Sequence, residues 1–497
     1  MTNLTLADVV EGLTGKRIIA EQRITDVVID SREAGSGSLF VALPGENTDG
    51  HQFVDQAFQQ GAIAALVHQP VCQGQQVIEA SQADTDRLVE ATANPPFCIQ
   101  VEDSLAGLQQ LAAFWREKFQ PRVIGVTGSV GKSTTKELIG AVLSTRFKTL
   151  KSEGNYNNEI GLPLTLLKLN AEYERVVLEM GMYALGEIEL LCQIAAPQVG
   201  VVTNVEPVHL ERLGTIDRIA QAKAELVQAL PPQSTGTDDA TGGIAILNYD
   251  DPRVRGMATQ TQARVVTYGL SPEADLWAGD VTSAGLEGIR FVFHYRDETI
   301  HARVPLLGRH SAHTALRAAL VGLVEGLAWE EIIAGLQSLP SSAQLRLVAA
   351  AGPNSSTLLD DSYNASPSST IAAFNLLDDL VATKKIAVLG DMMELGSYEE
   401  EGHRKVGCRA ADSLDLLIVI GRRARLIAEE AEACGLEAAA IIELNDNQAA
   451  IDYLKNVLEP GNIVLIKGSN SQRMSEIVSA LTITGIRPTG KQASNQT

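Results

Sequence analysis

A chain of 497 residues is too long for one hydrophobic core and predicts two to four domains, with three the expectation. Hydrophobic residues at 45% and charged residues at 20% exclude disorder and fibrous repeats. A formal charge of -21, with no basic run to offset it, argues against nucleic acid and membrane surfaces as partners.

Met1 to Leu13 lacks the charged head and apolar core of an export signal, and no apolar stretch is long enough to insert in a membrane. Cys72, Cys98, Cys192, Cys408 and Cys434 are scattered without a CxxC pair. That argues against a zinc site or a disulfide framework and predicts a cytoplasmic protein. Strand-like runs at Ile24 to Ile29 and Leu39 to Leu43, punctuated by Gly and Pro, predict a small N-terminal α/β domain, residues 1–103. Val71 to Pro96 turns polar and reads as a surface excursion. Ser104 is expected to cap a helix with apolar positions Leu105, Leu108, Leu111, Ala112, Trp115 and Phe119, stopped by Pro121.

From there strands at Val123 to Val126, Val176 to Leu178 and Val199 to Thr203 alternate with helices, one of them Ile216 to Leu230. This order predicts a mostly parallel, helix-covered sheet in a central domain, residues 104–338. Pro231 and Pro232 stop the last helix, and Gln233 to Gly243 reads as a loop. Alternation at Ile289 to Tyr295 adds antiparallel strands. A third α/β unit, residues 339–497, carries strands at Ser356 to Leu359, Lys385 to Leu389, Leu416 to Ile420, Ala440 to Glu443 and Ile463 to Ile466. That is the pattern of a doubly wound, Rossmann-like sheet, followed by a polar tail from Arg487 to Thr497.

Chemistry concentrates at Val123 to Thr134, which reads VIGVTGSVGKST. Thr127, Gly128, Ser129, Gly131, Lys132, Ser133 and Thr134 form a phosphate-binding loop between strand and helix. Its backbone amides face phosphate oxygens, Lys132 reaches the β and γ phosphates, and Ser133 is placed to ligate Mg²⁺. Val126 stands where the general pattern has glycine, and a ligand-free Gly-rich turn is the alternative. Glu179 ends a strand at the edge where α/β sheets bind ligands, and His209 follows another strand, so both are candidate metal or catalytic groups. By themselves they read as a strand-end acid and a loop histidine, and Lys223 as a surface lysine. Asn155, Asn157 and Asn158 offer neutral hydrogen bonds to a polar substrate, or form a turn cluster.

Taken together, TGSxGKS, Gly154 to Asn158 as GNxNN, the strand-end Glu179 and Thr203 to His209 as TNVxxxH resemble the Mur ligase family over essentially the whole chain. The resemblance implies ATP-dependent ligation through uridine-nucleotide, ATP and amino-acid binding domains. Asp30-Ser31-Arg32, Gly37 to Gly45 and Asp49 to His51 resemble the uridine domain of the two later-acting ligases, and put Ser31 and Arg32 on the substrate. Asp360 to Pro367, Leu389 to Gly396 and Lys467 to Asn470 are similar to the member that adds D-alanyl-D-alanine, implying substrate roles for Tyr363 and Asn364. Arg346 and Asp361 match nucleotide contacts, with an interdomain salt bridge as the alternative. Gly308 to Leu316 departs from the family's GxHNxxNAL, with Ser311 and Thr314 replacing both asparagines.

The implied reaction joins D-alanyl-D-alanine to UDP-N-acetylmuramoyl-tripeptide through an acyl phosphate, as part of peptidoglycan synthesis. It implies ATP and Mg²⁺ as cofactors, with Lys132, Glu179, His209 and Lys223 as catalytic residues. Ser133, Glu179 and His209 are the implied metal ligands, Lys223 is carbamylated, and the chain acts as a monomer. A ligase adding diaminopimelate or lysine, a folate polyglutamate ligase and a non-catalytic nucleotide switch are the alternatives.

Overall fold

The computed structural model describes residues 3–45, 48–71, 76–82, 84–233, 242–338 and 347–483. Cys72, Arg346, the tail Arg487 to Thr497 and most of the expected loop Gln233 to Gly243 lie outside these residues. Three sheets organise the chain. The first holds β1 (Val27–Val28), β2 (Leu39–Val41), β3 (Ala64–Val67), β4 (Gln76–Glu79) and β5 (Phe97–Gln100), all parallel, in the order β1-β2-β3-β5-β4.

The second sheet contains β6 (Arg122–Thr127), β7 (Thr149–Lys151), β8 (Arg175–Glu179), β9 (Val199–Val202), β10 (Ile244–Asn248), β11 (Arg264–Gly269), β12 (Leu276–Ser283), β13 (Ile289–Tyr295) and β14 (Glu298–Val304). Its order is β14-β13-β12-β11-β10-β9-β6-β8-β7. Strands β6 to β12 run parallel, and β13 and β14 close the edge as an antiparallel meander. The third sheet contains β15 (Val348–Ala351), β16 (Thr357–Asp361), β17 (Lys384–Gly390), β18 (Leu416–Ile420), β19 (Ile441–Leu444) and β20 (Asn462–Lys467), in the order β15-β16-β20-β17-β18-β19. Only β15 is antiparallel to its neighbour.

Strands buried on both faces explain the near-continuous apolar runs of β6, β8, β9 and β18. In the second sheet the chain leaves β6 for the β8 side and later returns to its other side at β9, so the strand order reverses at β6. Register then aligns the site: Val126 pairs with Glu179, and Thr127 with Val202. The loop after β6, the Glu179 carboxylate and the segment after β9 therefore leave the sheet at one edge, where ligands of such sheets bind.

Several expectations need correction. The cap of the helix Ser104–Phe119 is Asp103, whose carboxylate accepts from the Leu105 and Ala106 amides at 2.7 and 3.1 Å. Ser104 is instead buried, with Oγ 2.8 Å from His68 Nδ1 and donating to Ala42 O. That helix packs against the N-terminal sheet on one side and the helices Gly161–Leu166 and Glu187–Ala195 on the other, so one apolar core spans both regions. The polar stretch Val71 to Pro96 holds β4 and the helix Thr85–Ala93, whose Leu88 and Ala91 are buried. Cys408 and Cys434 form a disulfide, contrary to the cysteine reading. Two helices packed on each other bring residues 26 apart in sequence to a Cα separation of 5.2 Å, which spacing alone does not reveal.

Candidate active site

The turn after β6 presents backbone rather than side chains. Gly128 sits at φ +143°, and a Cβ there would lie 1.8 Å from Thr203 Oγ1, so only glycine permits this approach. Gly131, at φ +84°, precedes the helix Lys132–Leu143, whose first amides have no acceptor within the helix and form an anion-binding terminus. The loop is tied to the end of β9. The Ser129 and Val130 amides donate to Asn204 O and Oδ1 at 3.0 and 2.8 Å, and Thr203 Oγ1 donates to Val130 O at 2.8 Å. Ser129 Oγ accepts from the Glu206 amide at 2.9 Å. Lys132 Nζ arches back over the loop, donating to Gly128 O at 2.9 Å and Ser129 O at 3.3 Å.

Glu179 is buried. One carboxylate oxygen accepts from Asn157 Nδ2 at 2.9 Å, and the other has no hydrogen-bond partner among the described residues. A buried carboxylate oxygen without a donor is chemically suited to a cation. His209 occupies a left-handed backbone position, φ +60°, and its Nδ1 is hydrogen-bonded to the Glu394 carboxylate, which reaches across from the third sheet. That bond holds the Glu394 carboxyl below its ordinary range. A carboxylate on one ring nitrogen orients the other, as in metal-ligating histidines. Among the described residues no cluster of three His, Cys, Asp or Glu side chains forms a preassembled metal cage. Glu179 and Ser133 are oxygen donors of the kind Mg²⁺ takes, and would be the protein's share of its ligands if it were held here.

Lys223, on the helix Ile216–Gln228, is buried, not exposed as a lone lysine would be. Burial first, and then the neighbouring Lys132 charge, drive its pKa well below the ordinary lysine value, which favours the neutral amine relative to an exposed lysine.

The third sheet supplies the opposite wall. Lys467 Nζ, on β20, pairs with Asp361 at 2.5 Å and donates to Asn364 O at 2.9 Å. Asp361 is therefore ion-paired within its own sheet. Ser469 Oγ accepts from the Met393 amide at 2.8 Å, and the Ser469 amide donates to Asp391 O at 3.1 Å. The stretches Leu389 to Gly396 and Lys467 to Asn470 thus brace each other and present Glu394 to His209. Glu206, after β9, is hydrogen-bonded to Ser368 of the third unit, and burial raises its carboxyl pKa.

Between these walls lies a cavity of about 890 Å³. It brings together Ser129, Gly131, Lys132, Thr134, Asn157, Asn158, Glu179, His209, Lys223, Asp361, Tyr363 and Asn364. Thr127, Gly128 and Ser133 stand behind its surface, with Thr127 Oγ1 donating to Met180 O at 2.8 Å. Asn155 is outside the lining, and Arg346 outside the described residues. Ser31 and Arg32 belong to the N-terminal sheet, where Ser31 Oγ donates to Gln56 at 3.0 Å and exposed Arg32 pairs with Asp30 at 2.5 Å.

Sequence reasoning missed Asn248, Asp251, Arg317 and Glu394. Asn248 Nδ2 donates to Thr203 O at 2.9 Å and Asp251 accepts from the Val205 amide at 2.7 Å, both from the same sheet edge at the end of β10. Strand-end position was the signal for these two. Glu394 lies within Leu389 to Gly396, where nothing in the sequence names His209 as its partner.

Family models match three stretches: "Mur ligase family, catalytic domain" at residues 23–116, "Mur ligase middle domain" at 126–322 and "Mur ligase, glutamate ligase domain" at 345–470. The UDP-N-acetylmuramoyl-tripeptide--D-alanyl-D-alanine ligase of Synechocystis is 37% identical over 462 residues, 92% of each chain. A crystal structure of MurF from Acinetobacter baumannii superposes with a TM-score of 0.79 at 29% identity, covering 95% of this chain and 97% of that one. A MurF ligase from Thermotoga maritima in complex with ADP gives a TM-score of 0.75 at 27% identity, with coverages of 92% and 96%.

The Gly128 geometry sets a direct test. Gly128→Ala forces either Thr203 or the loop to move, and is expected to cost about 1–3 kcal/mol of stability. It should also abolish ADP binding measured by calorimetry; a variant that melts and binds like the parent would show that the close approach does not matter.

Proposed function

The chain belongs to the Mur ligase family, and on that premise we propose that it adds D-alanyl-D-alanine to UDP-N-acetylmuramoyl-tripeptide. It is an ATP-using ligase that forms a carbon–nitrogen bond in peptidoglycan precursor synthesis. The observation that carries the reading is the single cavity between two sheets. Phosphate-loop groups line one wall, and Tyr363 and Asn364 line the other, so nucleotide, acyl group and amine can share one space.

In this reaction the tripeptide carboxylate attacks the γ-phosphate of ATP, and ADP leaves. The dipeptide amine then attacks the acyl phosphate, forming the amide and releasing phosphate. The protein's work is alignment and charge neutralisation, since the reacting groups supply the covalent chemistry. Lys132 and the helix amides take the phosphate charge. Asn157 positions the Glu179 carboxylate, and Asn158 fixes the adjoining turn by accepting from the Gly161 amide at 2.9 Å. Glu179, His209 and Ser133 would hold Mg²⁺, whose chemistry there is to neutralise charge on the transferring phosphoryl group.

Ser31 and Arg32 take the uridine nucleotide, so the substrate extends from the N-terminal sheet to the cavity. Tyr363 and Asn364 take the dipeptide. The protein acts as a monomer in the cytoplasm, where ATP is supplied; among the described residues no helix is long and apolar enough to cross a membrane.

Lys223 is carbamylated in this reading. Unprotonated, its amine adds carbon dioxide and loses a proton, giving a carboxylate-like anion. Native mass measurement should show the increment of one carbon dioxide, lost in Lys223→Ala; an unmodified mass at saturating bicarbonate would dismiss it. For the reading as a whole, phosphate release should require both UDP-muramoyl-tripeptide and D-alanyl-D-alanine. Lys132→Ala should lower that release about a thousandfold with the melting profile retained. Release at the parent rate would remove Lys132 from the mechanism, and release without any amine would favour a nucleotide switch.

A further inference from the structure

Arg317 is a buried cation that the steps above leave unassigned. It lies on the helix Ser311–Val324, one turn after Thr314, and is 4% exposed. Its Nη2 donates to Thr314 Oγ1 at 2.8 Å, and the guanidinium lies 5.7 Å from the centre of the Tyr268 ring. Nε has no hydrogen-bond partner among the described residues. Among the described residues its polar neighbours are thus a hydroxyl and a phenol, and no carboxylate pairs with it. A guanidinium stays protonated even when buried, so it needs an anion from elsewhere.

Direction identifies that anion. A Cβ placed on Gly131 would lie 3.5 Å from Arg317 Nη2 and 3.7 Å from Nη1, so the guanidinium faces the turn that precedes Lys132. Arg317 also lines the cavity. Thr314, which holds the guanidinium there, is one of two positions at which this chain departs from the asparagines of the family pattern. A planar fork of donors beside a loop of phosphate-facing amides suits bidentate contact to phosphate oxygens.

We propose that Arg317 binds the diphosphate of the nucleotide, positioning it from the wall formed by the helix Ser311–Val324. This rests on the reading of the cavity as the ATP site. Arg317 acts by binding, with no bond made or broken at its side chain.

The test compares ADP with adenosine, which has the base and ribose but no phosphate, by calorimetry on the full chain. Arg317→Met is expected to weaken ADP binding about 10- to 100-fold and to leave adenosine within about threefold. Arg317→Lys, which keeps the charge but not the fork, should recover part of the loss. The ratio of the two affinities is the readout, because a packing defect alone lowers both together. Should Arg317→Met fail to fold, Arg317→Lys carries the same comparison, with a several-fold loss for ADP alone. An unchanged ADP affinity, or equal losses for ADP and adenosine, would overturn the inference while leaving the ligase reading intact. Parent protein that takes up no ADP would overturn both.

Discussion

Thr203 and Asn204 tie the phosphate loop to the end of β9, and the rest of the site depends on that tie. Asn204 holds two consecutive loop amides, and Thr203 holds a carbonyl of the same turn from a position that leaves no room for a side chain on Gly128. The loop is therefore held in place by hydrogen bonds made within the protein. The same segment runs on to Glu206 and His209, which meet Ser368 and Glu394 of the third unit. A single stretch of seven residues thus fixes the loop and docks the domain that faces it.

Charge gives the second constraint. The chain carries a net -21, and Lys132, Arg317 and Lys467 line one cavity together with the carboxylates of Glu179, Glu206 and Asp361. The net charge disfavours polyanions at the surface, while these few cations are the groups in the cavity that suit phosphate oxygens. Burying Lys223 with its pKa lowered opposes folding at any pH below the ordinary lysine value, because the unfolded chain binds a proton that the folded chain releases. Glu394 behaves in the opposite sense: its lowered pKa adds stability above the ordinary carboxyl range, lost as pH falls through the folded value.

Much of this was legible in the sequence. Apolar runs of β6, β8, β9, β16, β17, β18 and β20 lie within buried parallel sheets, so their hydrophobicity and helical spacers gave strong signals. The GKST loop and the strand-end Glu179 followed from the same logic. Edge strands were harder: β4, β7 and β15 are short and only partly buried, so their composition resembles loops. Asp103 and Ser104 are both good caps by type, and only the buried contact of Ser104 with Ala42 and His68 separates them. Arg317 had no sequence signal, since arginine on a helix is ordinarily solvated. Lys223 differed from a surface lysine only through burial that tertiary packing creates.

The central claim is that the amide formed joins the tripeptide carboxylate to the amine of D-alanyl-D-alanine. It is tested most directly by incubating the protein with ATP, Mg²⁺, UDP-muramoyl-tripeptide and an equimolar mixture of D-alanyl-D-alanine, diaminopimelate and lysine, and identifying the product by mass. The account predicts a uridine-linked pentapeptide, with one ADP formed per amide. A product carrying diaminopimelate or lysine, or ADP formed with no new amide, would contradict it.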